Sequence, residues 1–361
     1  MSVGSPGTMK MRCTAKLQFR GCQRMRETEV SRYIECAKLE FRATFSKEQM
    51  MQYRILGKTD LSVSVISFGA SSLGGVFRNV REQEGIRAMH TALDLGVNFF
   101  DVSPYYGLTK AETVLGKALQ GIPREKYLLA TKLGRYGDDF ADFDFSAARA
   151  ATSVDESLRR LGVDYLDLIQ CHDIEFGSLD QIVNETIPAL RKIQEQGKVR
   201  FIGITGLPLK IFPTILDQVE VDTILSYCHY SLNDASLEGL IPYLQAKLVG
   251  IINASPLSMG LLSQRGAPPW HPASDEIKQA CANAAHYCAE HGEPIEKLAI
   301  QFAVQQPQIT TTLVGTANPE NVKRNIQWIE EPIDEELLHN VLDILKPIHN
   351  KTWLSGRPEN N

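Results

Sequence analysis

From residue 63 onward the chain alternates between short apolar runs and longer amphipathic ones, and few folds accept such a pattern. Apolar runs at 63–68, 97–101, 127–132, 165–171, 200–204, 222–227, 248–254 and 310–314 read as buried strands. Between and after them fall stretches of helical period, near 82–95, 111–120, 148–160, 178–196, 208–218, 233–245, 275–291 and 318–328. Strict strand–helix alternation implies a parallel sheet, because successive parallel strands need a crossover between them. Eight such units predict an α/β fold, a closed (β/α)8 TIM barrel. Tyr53–Leu56, a Gly-Lys-Thr-Asp turn and the run from Leu61 predict an N-terminal β-hairpin ahead of it. An amphipathic segment at 295–306 precedes the eighth strand, and Asp334–Leu345 predicts a C-terminal extra helix. The loop after strand 7, Ser255–Ala273, is long and rich in Gly and Pro, which marks it as functional. A doubly wound open sheet is the alternative. Its usual GxGxxG turn is absent, since the turn after the first strand reads Gly-Ala-Ser-Ser-Leu-Gly-Gly from Gly69.

Composition narrows the partners. The 361 residues are 43% hydrophobic, enough for a large core. A net charge of −5 and a pI near 6.0 argue against nucleic acid or a membrane surface as the main partner. No apolar run reaches about 18 residues, so no membrane span is expected. The seven cysteines form no CxxC pair, and no metal site is expected. Cys171 and Cys228 sit in apolar runs and read as buried thiols of a reducing, cytoplasmic compartment. Residues 1–51 differ from the rest. Lys10, Arg12, Lys16, Arg20, Arg24 and Arg26 occur there with no acid before Glu27 and no apolar core of a secretory signal. This stretch reads as an extension that is disordered or outside the fold, with a weak organelle transit peptide as the alternative, and 52–361 as the barrel domain.

In a barrel of this kind catalytic groups gather where the strands end. Strand two ends in Phe99-Phe100-Asp101, with Tyr106 one short loop further. Strand three ends in Thr131-Lys132, and strand four in Gln170-Cys171-His172. A carboxylate, a phenol, an ammonium and an imidazole can therefore meet in one mouth. A free phenol has a pKa near 10 and is a poor base at neutral pH. A neighbouring Lys132 ammonium is expected to lower it, Asp101 to supply the buried ammonium's counter-charge, and His172 to hold a substrate oxygen. Such a metal-free proton donor suits carbon–oxygen redox chemistry with a nicotinamide hydride carrier.

The order Asp101, Tyr106, Lys132, His172 resembles the catalytic tetrad of the aldo-keto reductases. So do Asp101-Val-Ser-Pro-Tyr-Tyr-Gly, Ser255-Pro-Leu-Ser-Met-Gly-Leu-Leu and Gly315-Thr-Ala-Asn-Pro-Glu-Asn-Val. Within that superfamily the runs Gly69–Phe77, Gln170–Glu175 and Leu225–Leu232 resemble a plant branch. The resemblance implies oxidation of L-galactose at its anomeric carbon with NAD, on the way to ascorbate. It also leaves an L-fucose or other aldose dehydrogenase, an aldehyde reductase, or a cofactor-binding regulatory subunit of a potassium channel as alternatives. By the same resemblance Gly69, Ser71 and Asp101 lie near the nicotinamide ribose, and Thr205 near its carboxamide. Gly206 replaces the usual Asn. Ser226 or Tyr227 stands for the usual Gln, and Ala254 for the stacking Tyr. Ser255, Leu257, Ser258 and Gly260 would form the pyrophosphate loop, and Gly315, Thr316, Asn321, Arg324 and Asn325 the adenosine end. Gly315 and Asn321 are neutral where a 2′-phosphate would need a cation, which favours NAD over NADP even though Lys323 and Arg324 lie close by.

Overall fold

The computed structural model describes residues 51–76 and 80–361. The N-terminal extension apart from Met51, and Phe77 at the end of the Gly69 run, lie outside the described residues. Met51 packs against the main core.

Tyr53–Ile55 (β1) and Ser62–Ser64 (β2) form the antiparallel hairpin, with Arg54 opposite Val63. The barrel proper consists of β3 (Ile66–Gly69), β4 (Phe99–Asp101), β5 (Leu128–Leu133), β6 (Leu166–Cys171), β7 (Val199–Gly206), β8 (Thr223–Tyr227), β9 (Gly250–Ala254) and β10 (Thr311–Gly315). All neighbours are parallel, and β10 closes the ring on β3. The apolar run at 63–68, read above as one barrel strand, serves two sheets. Val63 belongs to the hairpin and Ile66 to the barrel, and the chain passes from one to the other at Val65.

The outer layer holds α1 (Glu82–Asp94), α2 (Lys110–Leu119), α3 (Ala147–Leu161), α4 (Leu179–Gln181, Ile182–Thr186 and Ile187–Glu195), α5 (Ile211–Leu216), α6 (Ile241–Ala246), α7 (Asp275–Glu290), α8 (Ile295–Gln305), α9 (Pro319–Glu330) and α10 (Glu335–Leu345). The middle of α4 is a π turn. Pro188 lies just beyond it, and proline cannot complete the ordinary i→i−4 ladder, so a widened turn keeps the helix continuous. The stretches at 208–218 and 233–245 are shorter than their period suggested. Each carries a proline near the start of the helix, at Pro213 and Pro242, and α6 is entered through a 3-10 turn at Ser236–Leu240.

Side-chain alternation along the strands builds the site. In the barrel interior Phe99, Ala130, Leu168, Leu225, Ile252 and Leu313 pack on Leu56, Leu61 and Val63 of the hairpin, which plugs the N-terminal end. Two residues further along three of these strands, and therefore on the same face one layer higher, stand Asp101, Lys132 and Gln170. The register agrees: Asp101 lies opposite Ala130, and Lys132 opposite Gln170. Apolar burial below, worth about 1.5–3 kcal/mol for a large side chain, anchors a polar layer above.

Candidate active site

Lys132 is 1% exposed, and its ammonium donates to Asp101 Oδ1, to Val102 O at 3.0 Å and to Tyr106 Oη at 3.2 Å. Gln170 Nε2 donates to the other oxygen, Asp101 Oδ2, at 2.8 Å. Both oxygens of the carboxylate are thus engaged. Burial pulls the Lys132 pKa down, but Asp101 and Tyr106 outweigh it and the ammonium ends above its ordinary value. Tyr106 behaves differently. Burial pushes the phenol above 10; Lys132 opposes this without reversing it, and Asp101 and Asp173 add to the rise. The expectation that Lys132 leaves Tyr106 with a lowered pKa is therefore met only in the sign of the lysine's own effect.

Tyr106 is fixed by backbone contact. Gly107 has φ +64, and a Cβ there would lie 2.2 Å from Gly74 O; a Cβ on Gly74 would lie 2.4 Å from Tyr106 O. Two glycines thus let the turn after β3 press on the turn that carries the phenol. His172 meets the Tyr106 ring edge to face, with centroids 5.7 Å apart. Burial, aided by Lys132 and Arg135 and opposed by Asp173, pulls the His172 pKa down to about 3, so the imidazole is neutral at physiological pH.

Around this centre lie residues to which the sequence reading gave no role. Arg135 pairs with Asp173 at 2.7 Å, and its guanidinium lies 3.7 Å from the Tyr105 ring centroid. Tyr105 Oη donates to Asp138 at 2.7 Å. Glu175 is fully buried and accepts from Leu207 N at 3.1 Å and Ser355 Oγ at 2.9 Å. Burial and Asp173 push its carboxyl up to about 8. Gln170 also had no role in the sequence reading; its only available signal was its place on β6, two residues before His172 and on the same face.

The surroundings fit a dinucleotide. Gly69 and Gly315 face each other on adjacent strands, and a Cβ on Gly315 would meet Ser71 Oγ at 3.2 Å and Gly69 O at 3.3 Å. The loop after β9 coils through left-handed backbone at Ser255, Ser258, Met259 and Gly260. Asn318 caps α9 by accepting from Glu320 N at 2.9 Å, so a helix N-terminus stands beyond β10. Beside Gly206 the buried Glu175 Oε2 has no partner among the described residues, and a Cβ on Gly206 would lie 2.6 Å from it. A polar oxygen thus occupies the place where a side chain at 206 would begin.

The aldo/keto reductase family model matches residues 65–345. The chain belongs to the aldo/keto reductase family. It is 51% identical over 319 residues to L-galactose dehydrogenase of Arabidopsis thaliana, covering 86% of this chain and 99% of that protein. It is 28% identical to D-threo-aldose 1-dehydrogenase of a Pseudomonas species, over 74% of this chain and 90% of that one. Among solved structures it is similar to an aldo-keto reductase from Bacillus halodurans in its holo form, with a TM-score of 0.67 and 30% identity over 81% of this chain and 96% of that chain.

For this aldo/keto reductase the other expected cofactor positions distribute unevenly. Thr205 Oγ1 accepts from Asp173 N at 2.9 Å, so its hydroxyl is already tied to the neighbouring loop. Leu225 and Tyr227 face the barrel interior, which turns Ser226 to the opposite side, where its hydroxyl is buried without a partner among the described residues. Tyr227 thus holds the interior place at the end of β8, and its hydroxyl lies 3.4 Å from Glu175 Oε1. Ala254 lies opposite Tyr227. Ser258 Oγ donates to Asn233 at 2.7 Å and Ser258 N donates to Ser255 O at 2.8 Å, so both of its donors are taken within the protein. Leu257 packs partly buried on the core. Thr316 Oγ1 accepts from Asn318 N at 3.2 Å and from Asn321 Nδ2 at 3.4 Å. Asn325 is buried on the inner side of α9.

Proposed function

We propose that the protein is an NAD-dependent dehydrogenase that oxidises L-galactose at C1 to L-galactono-1,4-lactone, a step of ascorbate biosynthesis. The 51% identity to an L-galactose dehydrogenase over 99% of that enzyme's length carries the choice of substrate. The nicotinamide, when bound, supplies the hydride acceptor. The chain's own groups handle the proton. Tyr106 in its phenolate form takes the proton of the C1 hydroxyl. Lys132 stabilises that phenolate from 3.2 Å, Asp101 holds Lys132 and is itself held by Gln170, and neutral His172 donates to the sugar oxygen.

Because burial holds Tyr106 above its ordinary pKa, the phenolate population grows as pH rises. Sugar oxidation should therefore speed up from pH 7 toward pH 10. Tyr106→Phe should lower kcat by about 10²–10⁴-fold, the usual worth of a positioned acid–base group, while NAD binding persists. Comparison of L-galactose, D-galactose, L-fucose and simple aldehydes as substrates tests the reading. A Tyr106→Phe enzyme with near-native kcat, or indifference to L-galactose, would overturn it.

NAD is preferred over NADP because the nearby cations are occupied. Lys323 pairs with Glu320 at 2.8 Å, and Arg324 donates to Asn321 at 2.8 Å while lying over the Trp328 ring. A charged hydrogen bond is worth about 1.5–3 kcal/mol, so kcat/KM should be at least about tenfold higher with NAD⁺. Asn321→Arg should narrow the gap, and equal use of both cofactors by the native protein would contradict this.

A further inference from the structure

We infer that Ser103 is a positioning residue that fixes the tautomer of His172, keeping the ring hydrogen on Nε2 so that this nitrogen can donate to a substrate oxygen. The inference builds on the assignment of His172 as the group that orients that oxygen. Ser103 lies in the turn after β4, is fully buried, and has its hydroxyl 3.0 Å from His172 Nδ1. The same hydroxyl already accepts from Tyr105 N at 3.1 Å. The turn itself is closed by Tyr106 N donating to Ser103 O at 3.1 Å, with Pro104 in its first inner position, so the hydroxyl has little freedom to move.

The two tautomers then differ in hydrogen-bond balance. With the hydrogen on Nε2, Ser103 accepts from Tyr105 N and donates to Nδ1, so its hydroxyl and Nδ1 are both satisfied. With the hydrogen on Nδ1, Ser103 would accept from both sides. Its own hydrogen would point into a buried space where, among the described residues, no other acceptor is bonded to it. The opposite side of the ring pulls the same way: Nε2 lies 3.6 Å from Asp173 Oδ2, and a carboxylate favours a hydrogen facing it. The charged groups around the ring are Asp173, Lys132 and Arg135; burial first, and then the two cations, keep the ring from taking a second proton against the pull of Asp173. Tyr105 and Tyr106 pack T-shaped against it, with ring centroids 5.9 and 5.7 Å away. Sequence patterning could not expose this pair, because Ser103 and His172 stand 69 residues apart and meet only across two strand ends.

Ring-nitrogen NMR of the ¹⁵N-histidine-labelled full chain tests the inference in the absence of sugar and cofactor, with the His172 signals assigned by their loss in His172→Asn. The expected result is a hydrogen-bearing Nε2 and a bare Nδ1 from pH 6 to 9. In Ser103→Ala the preference should fall by about tenfold, so that the Nδ1–H form becomes visible, and Ser103→Thr should restore it. In turnover, Ser103→Ala should lower kcat about tenfold with NAD affinity unchanged. A hydrogen on Nδ1 in the native protein, or an unaltered tautomer ratio in a folded Ser103→Ala, would overturn the inference. If Ser103→Ala does not fold, the native spectrum alone decides. A correct tautomer in a protein that oxidises no sugar would count against the proposed function and leave this inference standing.

Discussion

Glu175 stands among the buried groups as a carboxyl kept neutral by its surroundings. Its pKa is raised to about 8 from the ordinary 4.5, first by burial and then by Asp173. The folded protein therefore holds a proton there that the unfolded chain releases. By linkage, the stability tied to that proton is fully present below pH 4.5 and is lost as pH rises through about 8. Removing the ionisable group removes the loss. Glu175→Gln should hold its Tm between pH 6 and pH 9 while the native protein falls by several degrees, since about 1 kcal/mol moves Tm by roughly 2–4 °C in a domain of this size. Parallel Tm curves for the two proteins would show that Glu175 does not titrate in this range. The legibility of individual residues follows from where their partners are. Asp101, Tyr106, Lys132 and His172 could be picked out because each ends an apolar run or closely follows one. Ser103, Gln170 and Glu175 could not, because a serine in a turn, a glutamine in a strand and a glutamate in a loop have ordinary explanations until their distant partners are known.

At the scale of elements, the C-terminal tail acts as a strap on the loop that follows β6. Arg357 N donates to Glu175 O at 2.9 Å and Arg357 Nε to Phe176 O at 2.9 Å. Asn360 Nδ2 reaches Glu175 O at 2.8 Å and Gly177 O at 3.1 Å, and Ser355 Oγ closes on the Glu175 carboxyl. Gly356, at φ +78, comes so close that a Cβ would lie 2.4 Å from Glu175 O. The strapped loop begins directly after His172. Each hydrogen bond adds only about 0.5–1.5 kcal/mol, so the tail should tune the loop without deciding whether the barrel folds. Deletion of residues 355–361 should speed amide exchange at 173–177 and raise the KM for sugar several-fold, with a small change in Tm. Unchanged exchange in that loop would show that the strap carries no load. The tail gave no periodic signal of its own, and its role exists only through the loop it touches.

Across the whole molecule, the two ends of the barrel divide stability from chemistry. At the N-terminal end Asp167, 1% exposed, accepts from Arg124 at 2.6 Å, from Arg200 at 2.9 Å and from Leu129 N at 2.9 Å. Arg200 also reaches Asp60 of the hairpin turn at 2.9 Å, so the network ties the plug to the strands. Removing the shared acceptor leaves the Leu129 amide bare and takes one partner from each guanidinium, while Arg124 keeps Tyr127 O and Tyr165 O and Arg200 keeps Asp60. Because both arginines are partly exposed, the cost of Asp167→Ala should be about 2–3 kcal/mol, below that of breaking a fully buried pair. Its kcat and KM should stay near native, since the chemistry lies at the other end of the strands. A kinetic loss as large as the loss in stability would show that the two ends are coupled.

The alternation of apolar strand and amphipathic helix carried the architecture, because each unit's periodicity follows from which side of the backbone meets the core. The same logic carried the hairpin and the four polar residues at strand ends. Chain closure did the rest. Joining β10 to β3 brings Gly315 opposite Gly69. The strand register sets Gln170 beside Asp101, and the neighbouring turns set Ser103 beside His172. The tail lies over a loop some 180 residues earlier. Burial at these meetings then fixed the protonation states: a neutral His172, a protonated Glu175 and a Tyr106 that stays a phenol despite its lysine. Those states depend on desolvation and on charges contributed by separate strands, and no local stretch of sequence contains either.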